Sequence, residues 1–299
     1  MLSARSTYLI ATLILMFPNP AVSQDKPLQW MFTAGQTREY VRELTTIQKT
    51  KGIGITNDCK VTVICDTSIT CNQWNAKEGT GDIVLKVRRI QFRMDQPGSV
   101  VEYDSNKELD PNVPQTEACI AMFHAYRNAE ITCEVDASGT VKKYIFPDAL
   151  EAKVKEQIPQ NMDLKDAKNA ALDLISPFEY SLPSSSKANA LEWENTTQRG
   201  DSMSTRTLTT KLKRAGQESV LGDLLEKIEL SSSVTLKPTA NSTIDIKLVS
   251  HQGSGTILFD QAKGCIRELT SQQTERSEMK LEGGWTDDYS EQKVTLRLK

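Results

Sequence analysis

Residues 253–269 read GSGTILFDQAKGCIREL, and two readings compete for them. Either the glycines form a phosphate cradle, or they open a strand that runs into a tight turn. Spacing decides. Gly253 and Gly255 are followed by Leu258 where a dinucleotide-binding loop needs a third glycine, and no Lys-Ser/Thr pair follows as a phosphate loop requires. Asp260 can bond its own backbone a few residues on, and Gly264 can supply positive φ, so Asp260–Gly264 reads as a hairpin turn. Ile257 and Phe259 then share one face of the first strand, the apolar one, and Thr256 and Leu258 the other. Ile266 and Leu269 have opposite parity, so both enter the same layer only if the second strand carries a bulge.

The same pattern occurs earlier, in ITCEVDASGTVKKY at 131–144, where Asp136–Gly139 forms the equivalent turn. A second pair of stretches strengthens the comparison. RELTTIQKTKG at 42–52 and RTLTTKLKRAG at 206–216 agree at six of eleven positions, with Leu-x-Trp upstream of each at 28–30 and 191–193. The chain reads as a divergent duplication of two β-rich halves, residues 24–180 and 191–299, joined by the polar linker SLPSSSKANA at 181–190.

Most of the chain has strand character. DIVLKVRRIQFRM at 82–94, a Pro-Gly turn and SVVEYDS form a hairpin pattern, and Thr, Val and Ile recur through 37–48, 204–213 and 242–250. Polar and apolar residues mix in these segments, as in antiparallel strands with one wet face. Helices are few. TEACIAMFHAYRN begins at a capping Thr, Asp148 stands ready to cap ALEAKVKEQI, and Asp163 opens LKDAKNAALDLIS. SVLGDLLEKIEL at 219–230 places Leu221, Leu224, Leu225 and Ile228 on one stripe and is a fourth helix candidate, weakened by Gly222.

The first 23 residues read as an export signal. Arg5 precedes an apolar run from Tyr8 to Phe17, and Ala21 and Ser23 suit cleavage after Ser23. That run is too short to span a bilayer, and no later segment is long and apolar enough to do so. The mature chain is therefore expected outside the cytoplasm, periplasmic or secreted, with no transmembrane segment. Net charge is −3 and the basic residues are dispersed, which gives no electrostatic reason to expect nucleic acid as a partner.

Export brings the six cysteines into question. Cys59, Cys65 and Cys71 are spaced evenly, so on one strand they share a face roughly 20 Å apart, at ~3.3 Å per residue, too far to bond one another. Candidate disulfides therefore join these three to Cys119, Cys133 and Cys265, and buried free thiols are the alternative. No close Cys/His pair suggests a metal site.

Catalytic signatures are sparse. His124 sits within a helical pattern, and His251, beside the Gly-Ser-Gly stretch, is expected to be exposed. No Gly-x-Ser-x-Gly elbow occurs, and the Ser184–Lys187 and Ser277–Lys280 pairs lie in a serine-rich linker and a charged strand-like segment. Asp287 and Asp288 beside Trp285 and Tyr289 read as a solvated turn, and Asn195 and Asn241 stand in glycan-acceptor patterns. Catalytic, cofactor-binding and metal-binding residues are accordingly all expected to be none.

The signal, VEYDS after a basic strand, EVDASGTVKKY before a helix, and GSGTILFD with its Gly turn resemble an uncharacterised family of exported bacterial proteins that carry a domain without assigned function. The chain is also similar to the curved antiparallel half-barrels of periplasmic lipoprotein carriers, a likeness that implies an apolar concave face. The expected fold is α+β, mainly antiparallel sheet in two related halves, curved, half-barrel or sandwich, with few helices packed on it. The expected function is a non-enzymatic binding or carrier module of the cell envelope whose partner is an apolar ligand or an envelope protein. A structural or protein-interaction component is the alternative, and a hydrolase comes third.

Overall fold

The computed structural model describes residues 27–108, 118–158, 163–184, 187, 189–200, 204–239, 245–281 and 284–299. The proposed signal and its cleavage position lie outside them. The first half contributes β1 (Thr37–Gly52), β2 (Ile55–Asn75), β3 (Thr80–Gln96), β4 (Ser99–Asp104), α1 (Ala118–Ala125), β5 (Glu130–Asp136), β6 (Val141–Ile145), α2 (Asp148–Gln157) and α3 (Leu164–Ile175). The second is all strand: β7 (Glu192–Gly200), β8 (Ser204–Val220), β9 (Asp223–Pro238), β10 (Asp245–Asp260), β11 (Cys265–Leu281) and β12 (Gly284–Leu298).

All twelve strands form one curved, unclosed antiparallel sheet, in the order β6-β5-β3-β2-β1-β12-β11-β10-β9-β8-β7, with β4 beside β3. The two halves meet where β1 pairs with β12. Alternation gives the sheet two unlike faces. Ladders such as Thr45–Thr62, with pairs such as Lys211–Glu194 and Lys213–Glu192, line the outer face. The inner face carries the core.

One inner row crosses eight strands in register: Arg214, Ile228, Ile257, Leu269, Leu296, Arg42, Cys65 and Ile90. Every member is buried. Ile257 and Phe259 face inward as their parity requires, and burial of a Phe contributes roughly 2–3 kcal/mol. The register shifts between Leu258 and Phe259, so that Leu258 faces Glu268 and Phe259 faces Ile266. This bulge lets Ile266 and Leu269 enter the same buried layer despite their parity.

Residues 27–34 run unpaired across this end of the sheet, and they touch both Asp-Gly turns. Trp30 N donates to Ala137 O (2.7 Å), and Met31 N donates to Gly264 O (3.1 Å). Arg38 completes the clamp by donating to the carbonyls of Met31, Lys263 and Gly264. Gly264 has φ +59°, and a Cβ there would stand 2.4 Å from Met31 N, so conformation and space both demand glycine. Trp30 stacks on Phe32 and meets Phe178 and Phe259 edge-on, with ring centroids 5.8, 4.9 and 6.1 Å away.

α3 packs on β1 and β2, α2 on α3, and α1 on α2, so the helices cover the first half of the inner face. Asp163 caps α3 as its position predicts, accepting from Asp166 N at 2.7 Å. Asp148 does not cap α2. Pro147 occupies that position without a side-chain bond, and Asp148 lies inside the first turn, where its charge suits the helix dipole.

The fourth helix does not form. Residues 219–230 are instead the turn from β8 into β9, with Val220 facing Asp223. Leu221 and Gly222 both take positive φ, and Leu221 is 98 % exposed. Period two wins over the helical stripe because Ile228 and Leu230 can then bury beside β8 and β10.

The two Leu-x-Trp stretches have different settings. Trp30 is buried in the unpaired crossing segment, whereas Trp193 lies on β7, which pairs with β8.

Candidate functional site

Farther along the strands the inner face turns from dry to wet. The next row reads Leu212, Leu230, Gly255, Ser271, Val294, Leu44, Val63 and Phe92, and the one after it Thr210, Ser232, Gly253, Gln273, Gln292, Thr46 and Val61. On the first-half side Leu44, Val61, Val63 and Phe92 are apolar and only Thr46 of these two rows is polar. On the second-half side hydroxyls and amides alternate with Leu208, Leu230 and Val294, and a cavity of about 580 Å³ opens above them.

Its roof is the end of α3 and the segment after it. Arg42, buried on β1, donates to Asp173 O (2.6 Å), Ser176 O (3.1 Å) and Glu179 Oε2 (3.0 Å), closing the helix end with a cation. From the edge strand β7, Arg199 binds both oxygens of Asp173 at 2.6 Å. Trp193 Nε1 and Asn195 Nδ2 each donate to Ser181 O at 2.9 Å. Asn195 is thus committed to the rim, and Asn241 lies outside the described residues. These bonds add to the packing of Leu174, Ile175, Phe178 and Leu182, which anchor the roof in the core.

At the deep side of the polar rows stands a cluster of four side chains. Ser232 Oγ (β9) lies 3.1 Å from His251 Nε2 (β10), and His251 Nδ1 lies 3.6 Å from Glu275 Oε2 (β11). Arg206 Nη2 (β8) donates to that same carboxylate oxygen at 2.6 Å. Register creates the arrangement. Ser232 is opposite Gly253, and His251 is opposite Glu275. A Cβ on Gly253 would stand 1.8 Å from Ser232 Oγ and 3.3 Å from His251 Nε2, so the glycine leaves the space in which Ser and His meet.

His251 is only 3 % exposed in its side chain, not exposed as its Gly-Ser-Gly setting suggests. Burial pushes its pKa below the ordinary 6.5; Glu275 opposes the shift and Arg206 adds to it. The imidazole is therefore neutral at neutral pH, able to accept a proton at one nitrogen while donating from the other. His251 Nδ1 and Arg206 Nε are both buried without a hydrogen-bond partner.

Other candidates fall elsewhere. Cys59, Cys65, Cys71, Cys133 and Cys265 are buried free thiols, and the Cys119 side chain lies outside the described residues. Burial pushes the Cys65 thiol up to about 11 and the Cys133 thiol up to about 12. His124 is on the exposed side of α1, with Nδ1 3.4 Å from Tyr103 Oη. Lys187 N donates to Ser184 O, and Ser277 and Lys280 lie along β11. Asp287 and Asp288 are not a turn but part of β12, paired with Arg276 and Thr50. Cross-strand partners hold them extended. Among the described residues no group of His, Cys, Asp and Glu could hold a metal ion, and no helix is long and apolar enough to cross a membrane.

The chain matches no protein-family model and no curated protein. Among solved structures it is similar to one titled for lipid–protein interactions in lipovitellin, at 12 % identity and TM-score 0.48, over 90 % of this chain and 25 % of that one. It thus spans about a quarter of that relative's length. An outer membrane channel from Pseudomonas putida F1 matches at 9 % identity and TM-score 0.23, over 90 % and 97 % of the two chains. A DUF1329 family protein from Desulfovibrio piger matches at 8 % identity and TM-score 0.14, over 86 % and 84 %. Scores at this level carry no argument about what this chain does.

Proposed function

We propose that the inner face of the second half binds a small amphipathic molecule, and that the chain works outside the cytoplasm as a binding or carrier module. The observation that carries this is the cavity itself. Its volume of about 580 Å³ lies in the range of small-ligand sites, roughly 300–1,000 Å³. Its floor sets Leu44, Leu208, Leu230 and Val294 among Ser271 and Gln273. Such a lining suits a molecule with an apolar body and hydrogen-bonding groups along it.

Titration of the full chain with a dansyl-labelled fatty acid, alongside native mass spectrometry of gently purified protein, tests this. Saturable one-to-one binding is expected, weakened at least tenfold by Leu208→Glu, which puts a charge on the floor. Absence of saturable binding from a folded chain, together with a bare monomer mass, refutes it. One observation favours a protein-interaction role: among the described residues β6 and β7 each pair with a single neighbour, which leaves an edge for a partner strand.

A further inference from the structure

We propose that Ser232, His251 and Glu275 form a nucleophilic relay in the wall of this cavity, and that the substrate class it takes is the carboxylic ester. Serine, imidazole and carboxylate stand on three successive strands, with the hydroxyl 3.1 Å from one ring nitrogen and the carboxylate 3.6 Å from the other. The first is the contact by which a base activates a hydroxyl; the second is longer than a hydrogen bond and leaves Nδ1 without a partner, so Glu275 acts on the ring through its charge. Relay distances of this kind are often long before substrate binds and shorten on binding. The proposal goes beyond the binding reading and stands without it, because a short ester needs no fit to the rest of the cavity.

Four features support it. Gly253 clears the space into which Ser232 Oγ points, and alanine there would collide with it. Ser232 lines the cavity, so an ester carbonyl can reach it, while His251 behind it is shielded from water. Arg206 holds Glu275 through Nη2 and also lines the cavity, which places a cation beside the reacting groups. His251 is held neutral by burial, the state a base needs.

In the step proposed, Ser232 Oγ attacks the ester carbonyl carbon while its proton passes to His251 Nε2. The tetrahedral oxyanion is stabilised by the Arg206 guanidinium. It collapses with loss of the alkoxide, which takes the proton from Nε2, and leaves an acyl-serine. Water then repeats the sequence and releases the carboxylic acid. Ser232 sits in mid-strand between two paired neighbours, so its backbone N–H is held in the sheet and is not available as an oxyanion donor. The missing donor slows both steps, but p-nitrophenolate leaves readily, so with the nitrophenyl esters acylation should outpace deacylation and a burst should precede slow turnover.

The full chain is treated with an alkyl fluorophosphonate and, separately, with p-nitrophenyl acetate and octanoate; peptide mapping locates the adduct. The expected result is one adduct at Ser232 and about one equivalent of nitrophenolate in the burst, both lost in Ser232→Ala. His251→Gln should slow labelling at least a hundredfold. The labelling rate of the native chain should rise with pH through a titration below 6.5, and Glu275→Gln should move that titration. Gln252→Ala, altering an exposed side chain of β10 that does not line the cavity, should change nothing. Near-UV circular dichroism checks that each variant is folded. An unlabelled Ser232 in the folded native chain overturns the proposal, and so does labelling that is equally fast in a folded His251→Gln variant. Either result leaves fatty-acid binding untouched, so the two readings fail separately.

Discussion

Gly253→Ala tests the polar cluster without touching its chemistry. The added methyl would lie 1.8 Å from Ser232 Oγ, 3.2 Å from Ser232 Cβ and 3.3 Å from His251 Nε2. The first distance is impossible, so Ser232 must turn away and the 3.1 Å contact is lost. Overpacking costs about 1–3 kcal/mol and the lost hydrogen bond about 1. A less flexible unfolded chain returns about 0.5. The net cost is about 1.5–3.5 kcal/mol. In a Ser232→Gly background both colliding atoms are gone, and the same methyl should cost less than about 1 kcal/mol. The coupling between the positions is then about 2 kcal/mol, a size that contacting side chains reach. Urea denaturation of the four proteins measures it, provided near- and far-UV signals coincide and the slopes agree. Equal cost of Gly253→Ala in both backgrounds would refute the reasoning, because Ser232 Oγ would not then occupy the space the glycine leaves.

Phe259→Ala removes a fully buried ring that meets Trp30 edge-on and should cost about 3–5 kcal/mol in a denaturant melt. Gly264→Val should also destabilise, through both φ and the crossing segment at Met31, and a neutral result would discredit the clamp. His251 titrates below its ordinary 6.5 in the fold, among Ser232, Glu275 and Arg206, so below that pH the unfolded chain takes up the proton first. Stability should fall as pH drops through and below 6.5, and His251→Gln should flatten that slope. Asp104 is drawn down to about 2, chiefly by the two bonds from Arg89. Its contribution is present above the usual carboxylate value near 3.8 and lost as pH falls towards 2, a loss that Asp104→Asn should abolish. Cys65 and Cys133 should resist iodoacetamide at pH 8 in the native protein and react in urea; ready native labelling would show that these thiols are not buried as drawn.

Much of the fold was legible because strand parity and turn chemistry are local. Asp260 and Asp136 each bond their own turns as their spacing predicts, Asp260 to Lys263 N and Asp136 to Ser138 N and Thr140 N. Even the bulge was foreshadowed, since Ile266 and Leu269 could share a layer only through one. The hairpin at 219–223 was misread for a physical reason. Leu221, Leu224, Leu225 and Ile228 satisfy a helical stripe, and nothing local reveals that Leu221 will be exposed while Ile228 is buried on β9 beside Ile257 of β10. The competing period appears only once the neighbouring strands are known.

The polar cluster was invisible for a related reason. Ser232, His251 and Glu275 are 19 and 24 residues apart, and Ser232 is the middle of three serines that read as solvated strand. An elbow or a Ser-x-x-Lys is contiguous and so legible in a sequence, whereas a sheet brings distant side chains together through register. Gly253 was the one accessible signal. A glycine in mid-strand, with no turn to make, implies that something approaches closely, and here that something is a serine hydroxyl facing an imidazole. The two glycines differ: a Cβ on Gly255 would stand 2.4 Å from the Thr270 carbonyl oxygen, so the sheet itself demands that glycine, whereas at Gly253 only side chains stand in the way. A bulky residue at 253 would extend the strand equally well. The space held open at 253 is therefore better explained by Ser232 and His251 than by the fold, and this makes the pair the first place to look for chemistry.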